Sequence, residues 1–243
     1  MMENIKHYKV IVACLFITGI QSLKIILNSI LGILTRKKVD AISKEWAQKL
    51  VKEIELDLKI EGLENVSYVK NQAYIFMSNH LSLYDIPIAL SSFPGSIRML
   101  AKKEMKNYPL LGQAMTSGEY LFIDRKNFKS ALQDLKHAEE KMKNGIRVWI
   151  YPEGTRSADG KIKNFKKGGF HLAIQSKAII IPVCILGSGD ILPPHSYNLK
   201  TGQKVLIKVG HPIKAEDYSK DSVEQLKEKT ESIIRNLHES SFN

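Results

Sequence analysis

The chain has 243 residues, 44% hydrophobic and 25% charged, which fits one sizeable domain plus an appendage and excludes both a disordered chain and a polytopic membrane protein. Its 36 Lys and Arg outnumber 25 Asp and Glu, a net charge of +11, so it favours a negatively charged partner: nucleic acid, anionic lipid or an acidic carrier protein. Its two cysteines, Cys14 and Cys184, lie in apolar runs without the CxxC or Cys/His spacing of a zinc or redox site.

The first element predicted is a helix over residues 10–34. Its opening stretch is almost purely apolar, but Gln21, Lys24 and Asn28 then recur at spacings of three and four and mark one polar face. A lysine at the bilayer centre costs roughly 2.5–3.5 kcal/mol on the insertion scale, so the pattern predicts shallow or re-entrant burial and not a simple span. Basic residues flank it, Lys6 and Lys9 before and Arg36, Lys37 and Lys38 after, placed to meet phospholipid headgroups. Val39, Ile42, Trp46, Leu50, Ile54 and Leu58 continue at helical spacing, which predicts a second helix. Residues 1–58 therefore read as a helical hairpin anchored in one leaflet. The alternative is a cleaved signal peptide, but no small-x-small cleavage site follows.

From residue 59 onward, short β-rich runs alternate with helical stretches, the pattern of an α/β domain. Strands are predicted at 73–78, 97–101, 120–124, 146–151, 178–186 and 204–209, and helices near 85–91, 128–143 and 165–176. A last helix begins at Ser222, with Gln225 placed for a capping box and Val223, Leu226, Ile233, Ile234 and Leu237 on one stripe.

The motifs sit at the strand ends. Asn79-His80-Leu81-Ser82-Leu83-Tyr84-Asp85 follows the first strand of this domain. On a continuous helix His80 and Asp85 would lie about 140° apart, but they can meet if His80 is on the turn and Asp85 opens the next helix. The carboxylate would then fix the imidazole tautomer and leave the other nitrogen free as a general base. There is no G-x-S-x-G elbow and no exposed thiol context, so the pair suits a reaction in which a substrate hydroxyl attacks. By itself the spacing also describes a surface turn with a capping aspartate.

Pro152-Glu153-Gly154-Thr155-Arg156-Ser157 follows the strand ending at Tyr151, where open α/β sheets collect ligands, and its Gly and Arg suit an anion such as phosphate. Phe122-Ile123-Asp124-Arg125 again puts an arginine at a strand end. Ile181-Pro182-Val183 is an apolar strand whose proline forbids one ladder bond and so predicts an edge or a bulge. Basic clusters lack interleaved aromatics, so no nucleic-acid partner is expected. His80, Asp85 and Glu153 would be an incomplete ligand set, so no metal is expected either.

In order and spacing these four blocks resemble those of the glycerolipid acyltransferase family, the 1-acylglycerol-3-phosphate acyltransferases of the PlsC type. The likeness extends to Ala101-Lys102-Lys103-Glu104 and Pro109-Leu110-Leu111-Gly112 and covers roughly residues 70–190. It implies an α/β fold with a mixed β-sheet flanked by helices, and transfer of a fatty acyl group to the free hydroxyl of lysophosphatidic acid, giving phosphatidic acid. His80 would be the base, Asp85 its orienting partner and Lys102 (or Lys103) the oxyanion stabiliser. Arg125, Glu153, Gly154, Thr155 and Arg156 would bind substrate. Asn79, Ile181, Pro182 and Val183 would line the acyl site or support it. No cofactor is implied, only acyl-carrier protein or coenzyme A thioester as co-substrate. The expected setting is membrane phospholipid, at the cytoplasmic face of the cell membrane. Another lysolipid acceptor, or water in a hydrolase, are the alternatives.

Overall fold

A computed structural model of the chain describes residues 2–239, with side chains from Tyr8 onward; the side chain of Lys6 lies outside the described residues. Two helices lead, α1 (Met2–Ile30) and α2 (Arg36–Glu53). The helix expected to run on to Leu58 stops at Glu53. Glu55 takes a left-handed φ of 53°, and the chain turns into β1 (Asp57–Glu61), which pairs with a strand near the other end of the sequence. The expected boundary at residue 58 therefore falls inside a strand.

The remaining strands are β2 (Tyr74–Ser78), β3 (Ile97–Lys102), β4 (Leu121–Ile123), β5 (Arg147–Ile150), β6 (Ile179–Leu186), β7 (Lys204–Val209) and β8 (Ile213–Lys214). The helices between them are α3 (Asp85–Ser92), α4 (Leu111–Ser117), α5 (Phe128–Lys143), α6 (Gly168–Gln175) and α7 (Val223–Glu239). The sheet order is β1-β7-β6-β2-β5-β3-β4, with β8 on β6. Pairing is parallel from β6 through β4, whereas β7 and β8 meet β6 antiparallel. The α/β succession is thus as the strand pattern predicts, and the mixed sheet as the resemblance implies; β1, α4 and β8 are additions too short or too polar to show a period.

Residues alternate between faces along the central strands. Tyr74, Phe76 and Trp149 pack with α1, α2 and α3 on one side, while Ile75, Met77, Val148 and Ile150 pack with α5, α6 and α7 on the other. Because both faces are covered, β2 reads as a continuous apolar run, Tyr-Ile-Phe-Met, with no polar alternation. After β2 the chain crosses past β5 to β3 by way of α3; after β5 it crosses back past β2 to β6 by way of α6. The two connections leave on opposite faces, which opens a crevice at the carboxyl ends of β2 and β5.

Three expectations change in detail. Pro182 lies in a central strand and not at an edge: the outer side of β6 pairs with β8 up to Ile180 and with β7 from Val183, so the missing N–H falls at the change of partner. The last helix opens with a 3-10 turn at Lys220–Ser222 capped by Ser219, and Ser222 closes that capping box from its third position. The polar face of α1 is turned inward. Gln21 and Ser22 are buried, Lys24 pairs with Glu45 of α2 at 3.4 Å, and Asn28 accepts from Lys38 at 3.4 Å. The outer face of α1 is left apolar, with Leu15, Phe16 and Ile30 at least 68% exposed. The segment Tyr8–Ile30 is long and apolar enough to cross a membrane. Of the basic flank, Arg36 is committed internally to Glu119 at 2.7 Å, while Lys37 and Lys38 stay exposed.

Candidate active site

The turn between β2 and α3 is held from below before it presents any chemistry. The fully buried Asn79 donates to the carbonyl of Ile185 and accepts from its N–H, both at 2.8 Å, which clamps the end of β2 to β6. Ser82 donates to the carbonyl of Leu192 at 3.0 Å. Asp85 then opens α3, and His80 stands on the turn, so the two side chains meet as their spacing allows: Nδ1 to Oδ2 is 2.8 Å. The same oxygen accepts the N–H groups of Leu81 at 2.8 Å and Ser82 at 3.0 Å, so the fully buried carboxylate is fixed before the imidazole arrives. It also lies at the amino end of α3, where the helix dipole favours negative charge. With Nδ1 occupied, Nε2 is the nitrogen left to take a proton.

The loop after β5 wraps this turn. Glu153, almost fully buried, accepts the backbone N–H of His80 through one oxygen and that of Lys163 through the other, each at 2.8 Å. Ser157 donates its N–H to the carbonyl of His80 at 2.8 Å. Burial pushes the Glu153 carboxyl up to about 7, against the pull of those two amides. The ring of Tyr151 lies on the imidazole of His80, centroids 3.8 Å apart and planes 14° from parallel.

The basic residues converge on Gly154. Its φ of 74° lets the turn from Tyr151 reverse sharply, and a Cβ placed there would come within 3.1 Å of the Lys166 ammonium. Arg125, at the end of β4, donates to the Gly154 carbonyl. Arg156 is half-buried, its own carbonyl accepts from Lys163 at 3.2 Å, and its guanidinium makes no ion pair among the described residues. Thr155 is exposed beside it. Arg125, Arg156, Lys163 and Lys166 thus surround one glycine turn, the chemistry of an anion site.

The acyltransferase family model matches residues 57–186, just over half of the chain and all four blocks. The chain belongs to the acyltransferase family. Its sequence is 32% identical over 191 residues to the 1-acyl-sn-glycerol-3-phosphate acyltransferase of Saccharomyces cerevisiae, covering 77% of this chain and 62% of that one. It is 33% identical over 178 residues to the chloroplastic enzyme LPAT1 of Arabidopsis thaliana, covering 73% of this chain and 49% of that one. The chain therefore spans about half to two thirds of the length of these curated relatives. A crystal structure of the 1-acyl-sn-glycerophosphate acyltransferase PlsC from Thermotoga maritima superposes with a TM-score of 0.76 at 25% identity, covering 98% of this chain and 99% of that one.

The candidate site brings together His80, Asp85, Glu153, Gly154, Arg125 and Arg156. Lys102 stands apart. It ends β3, two strands from β2 and so about 10 Å across the sheet, and it is exposed with no ion pair among the described residues. Its neighbour Lys103 is committed to Asp124 and Ser130, each at 3.2 Å, which leaves Lys102 as the uncommitted cation of the two. Ile181, Pro182 and Val183 are buried in β6 opposite Phe76, Met77 and Ser78. Three residues escape sequence reasoning: Tyr151, Lys163 and Lys166. The first two act through a ring face and a backbone N–H, which leave no motif. Lys166 is brought back only because Lys166 donates its N–H to the carbonyl of Pro152 at 2.9 Å.

Proposed function

We propose that this acyltransferase moves a fatty acyl group from a thioester to the sn-2 hydroxyl of 1-acyl-sn-glycerol-3-phosphate, giving phosphatidic acid. The observation that carries the reading is the His80–Asp85 pair, with one imidazole nitrogen bonded to a buried carboxylate, set beside a glycine turn ringed by cations. In the reaction, Nε2 of His80 accepts the hydroxyl proton as the oxygen attacks the thioester carbonyl. The C–S bond then breaks, and the thiolate leaves with the proton returned from the imidazolium. Asp85 keeps Nδ1 protonated and stabilises the transient imidazolium. Arg156, Arg125 and Lys166 hold the acceptor phosphate.

The donor is acyl-carrier protein or coenzyme A; the net charge of +11 suits the acidic surface of the one and the phosphates of the other. The lipid acceptor is met at a membrane. Val10, Ile11, Cys14 and Ile17 of α1 pack into the same core as α3, and the middle of α1 is tied to α2, so the helix is bound to the domain along its length. A span would pull the domain into the bilayer, so the helix lies in one leaflet, apolar face down, on the cytoplasmic side of the cell membrane. A label at Phe16 would show the depth by quenching: accessibility of the two ends of α1 from opposite sides would refute this placement.

Incubating the purified chain with lysophosphatidic acid and each thioester in turn, with the lipid products resolved by mass, tests the proposal. Phosphatidic acid is expected. Release of free fatty acid alone would show a hydrolase, and turnover only with another lysolipid would move the acceptor assignment.

A further inference from the structure

We propose that Tyr151 is a positioning residue for the transfer reaction: its ring, flat against the imidazole of His80, keeps that ring in line with Asp85 and favours its protonated form. The inference rests on the reading of His80 as the base.

The stack covers one face of the imidazole at 3.8 Å, the separation of a full ring contact. Asp85 fixes only one atom of the imidazole, Nδ1, and a single hydrogen bond leaves the ring free to tilt about it. A second, planar contact removes that freedom and aims Nε2. The face of an aromatic ring carries negative potential, so it attracts the imidazolium more than the neutral imidazole. The phenol itself stays neutral, because its hydroxyl is buried without a hydrogen-bond partner among the described residues and burial beside Asp85 holds it well above the usual range. What Tyr151 offers is therefore its ring and not its hydroxyl. The chain geometry is suited to this: Tyr151 directly follows β5, whose Ile150 pairs with Met77 of β2, so Tyr151 stands level with Ser78, two residues before His80.

Two other titratable groups meet His80: Asp85 on Nδ1 and Glu153 on its backbone N–H. Glu153 titrates near neutrality and could imitate an imidazole in a rate profile, so the test reads the imidazole directly.

Carbon-13 labelling of the seven histidine rings in detergent-solubilised protein, with His80→Gln to assign the signal, gives the His80 pKa by NMR. Tyr151→Phe should keep that pKa. Tyr151→Leu, which fills the space without a π face, should lower it by about 0.5 to 1 unit. Repeating the titration in Glu153→Gln separates the two groups. Should the leucine variant not fold, replacing Tyr151 by mono-, di- and trifluorophenylalanine keeps the shape while draining the ring face, and the pKa should fall stepwise. An unchanged or rising pKa along that series, or an equal shift in Tyr151→Phe, would overturn the proposal. Loss of the base assignment would show differently, as full turnover in His80→Ala, whatever the titration reads.

Discussion

Two clusters of buried charge flank the sheet, and they are built to opposite ends. On the α2 side, Arg98 is 1% exposed; its guanidinium donates to Asp40 of α2 at 2.7 Å, to the carbonyl of Gly118 at 2.6 Å and to that of Ile97 at 2.9 Å. Next to it, Glu119 collects Arg36 at 2.7 Å and Lys141 at 2.8 Å, which hold its carboxyl down at about 2. At the crevice, His80 and Asp85 form a pair just as short, but the imidazole keeps one nitrogen uncommitted, and the carboxylate behind it is bound by backbone and not by a permanent cation. A cluster whose charges are matched in the resting state can hold elements together. One that lacks its last partner is poised to take a proton.

Breaking the first cluster should cost stability. Asp40→Ala strands the buried Arg98 charge, and loss of one partner of a buried pair typically costs 3–5 kcal/mol; with Asp40 still 25% exposed, about 3 kcal/mol is expected. Urea unfolding would measure it, while turnover per folded molecule should stay within a few-fold of wild type. The same contact shows why a chain cut before residue 59 would lose more than its membrane contact: α2 also buries Val39, Ala47 and Leu50 in the domain core.

Glu153 stands between the two cases. Its folded pKa of about 7 lies above the ordinary carboxylate value, so between about pH 4.3 and 7 the folded chain holds a proton that the unfolded chain has released. Its contribution to stability is present below pH 4.3 and is lost as pH rises through 7, by at most about 4 kcal/mol. Unfolding free energy measured across that window should fall with pH more steeply in wild type than in Glu153→Gln. Equal slopes would show that the two amides on its oxygens outweigh its burial.

Arg156→Ala sharpens the contrast on the ligand side, since this guanidinium has no ion pair among the described residues to lose. The KM for lysophosphatidic acid should rise by about tenfold, the loss of one charge-assisted contact, with little change in KM for the thioester or in melting temperature. A larger effect on the thioester would move the anion site to the donor.

How far the sequence reveals this division differs between the clusters. The strand and helix succession was readable because both faces of the sheet are covered, which turns β2, β5 and β6 into unbroken apolar runs. His80 and Asp85 were readable because five residues bridge a turn and the first residue of a helix. Arg98 was hidden: it reads as a charge within a strand, and its partners are 58 and 20 residues away. The polar residues of α1 were readable as a stripe, but what the stripe meets was not. They face α2 and not headgroups, and the periodicity of a polar stripe is the same either way.

The most direct measurement is turnover of His80→Ala at matched folded concentration, with phosphatidic acid formation followed alongside the melting temperature. Loss of a general base predicts a rate lower by about 10² to 10⁴ with melting little changed, since the imidazole is not what holds the turn. Near wild-type turnover, or a loss of rate that tracks a loss of fold, would contradict the account.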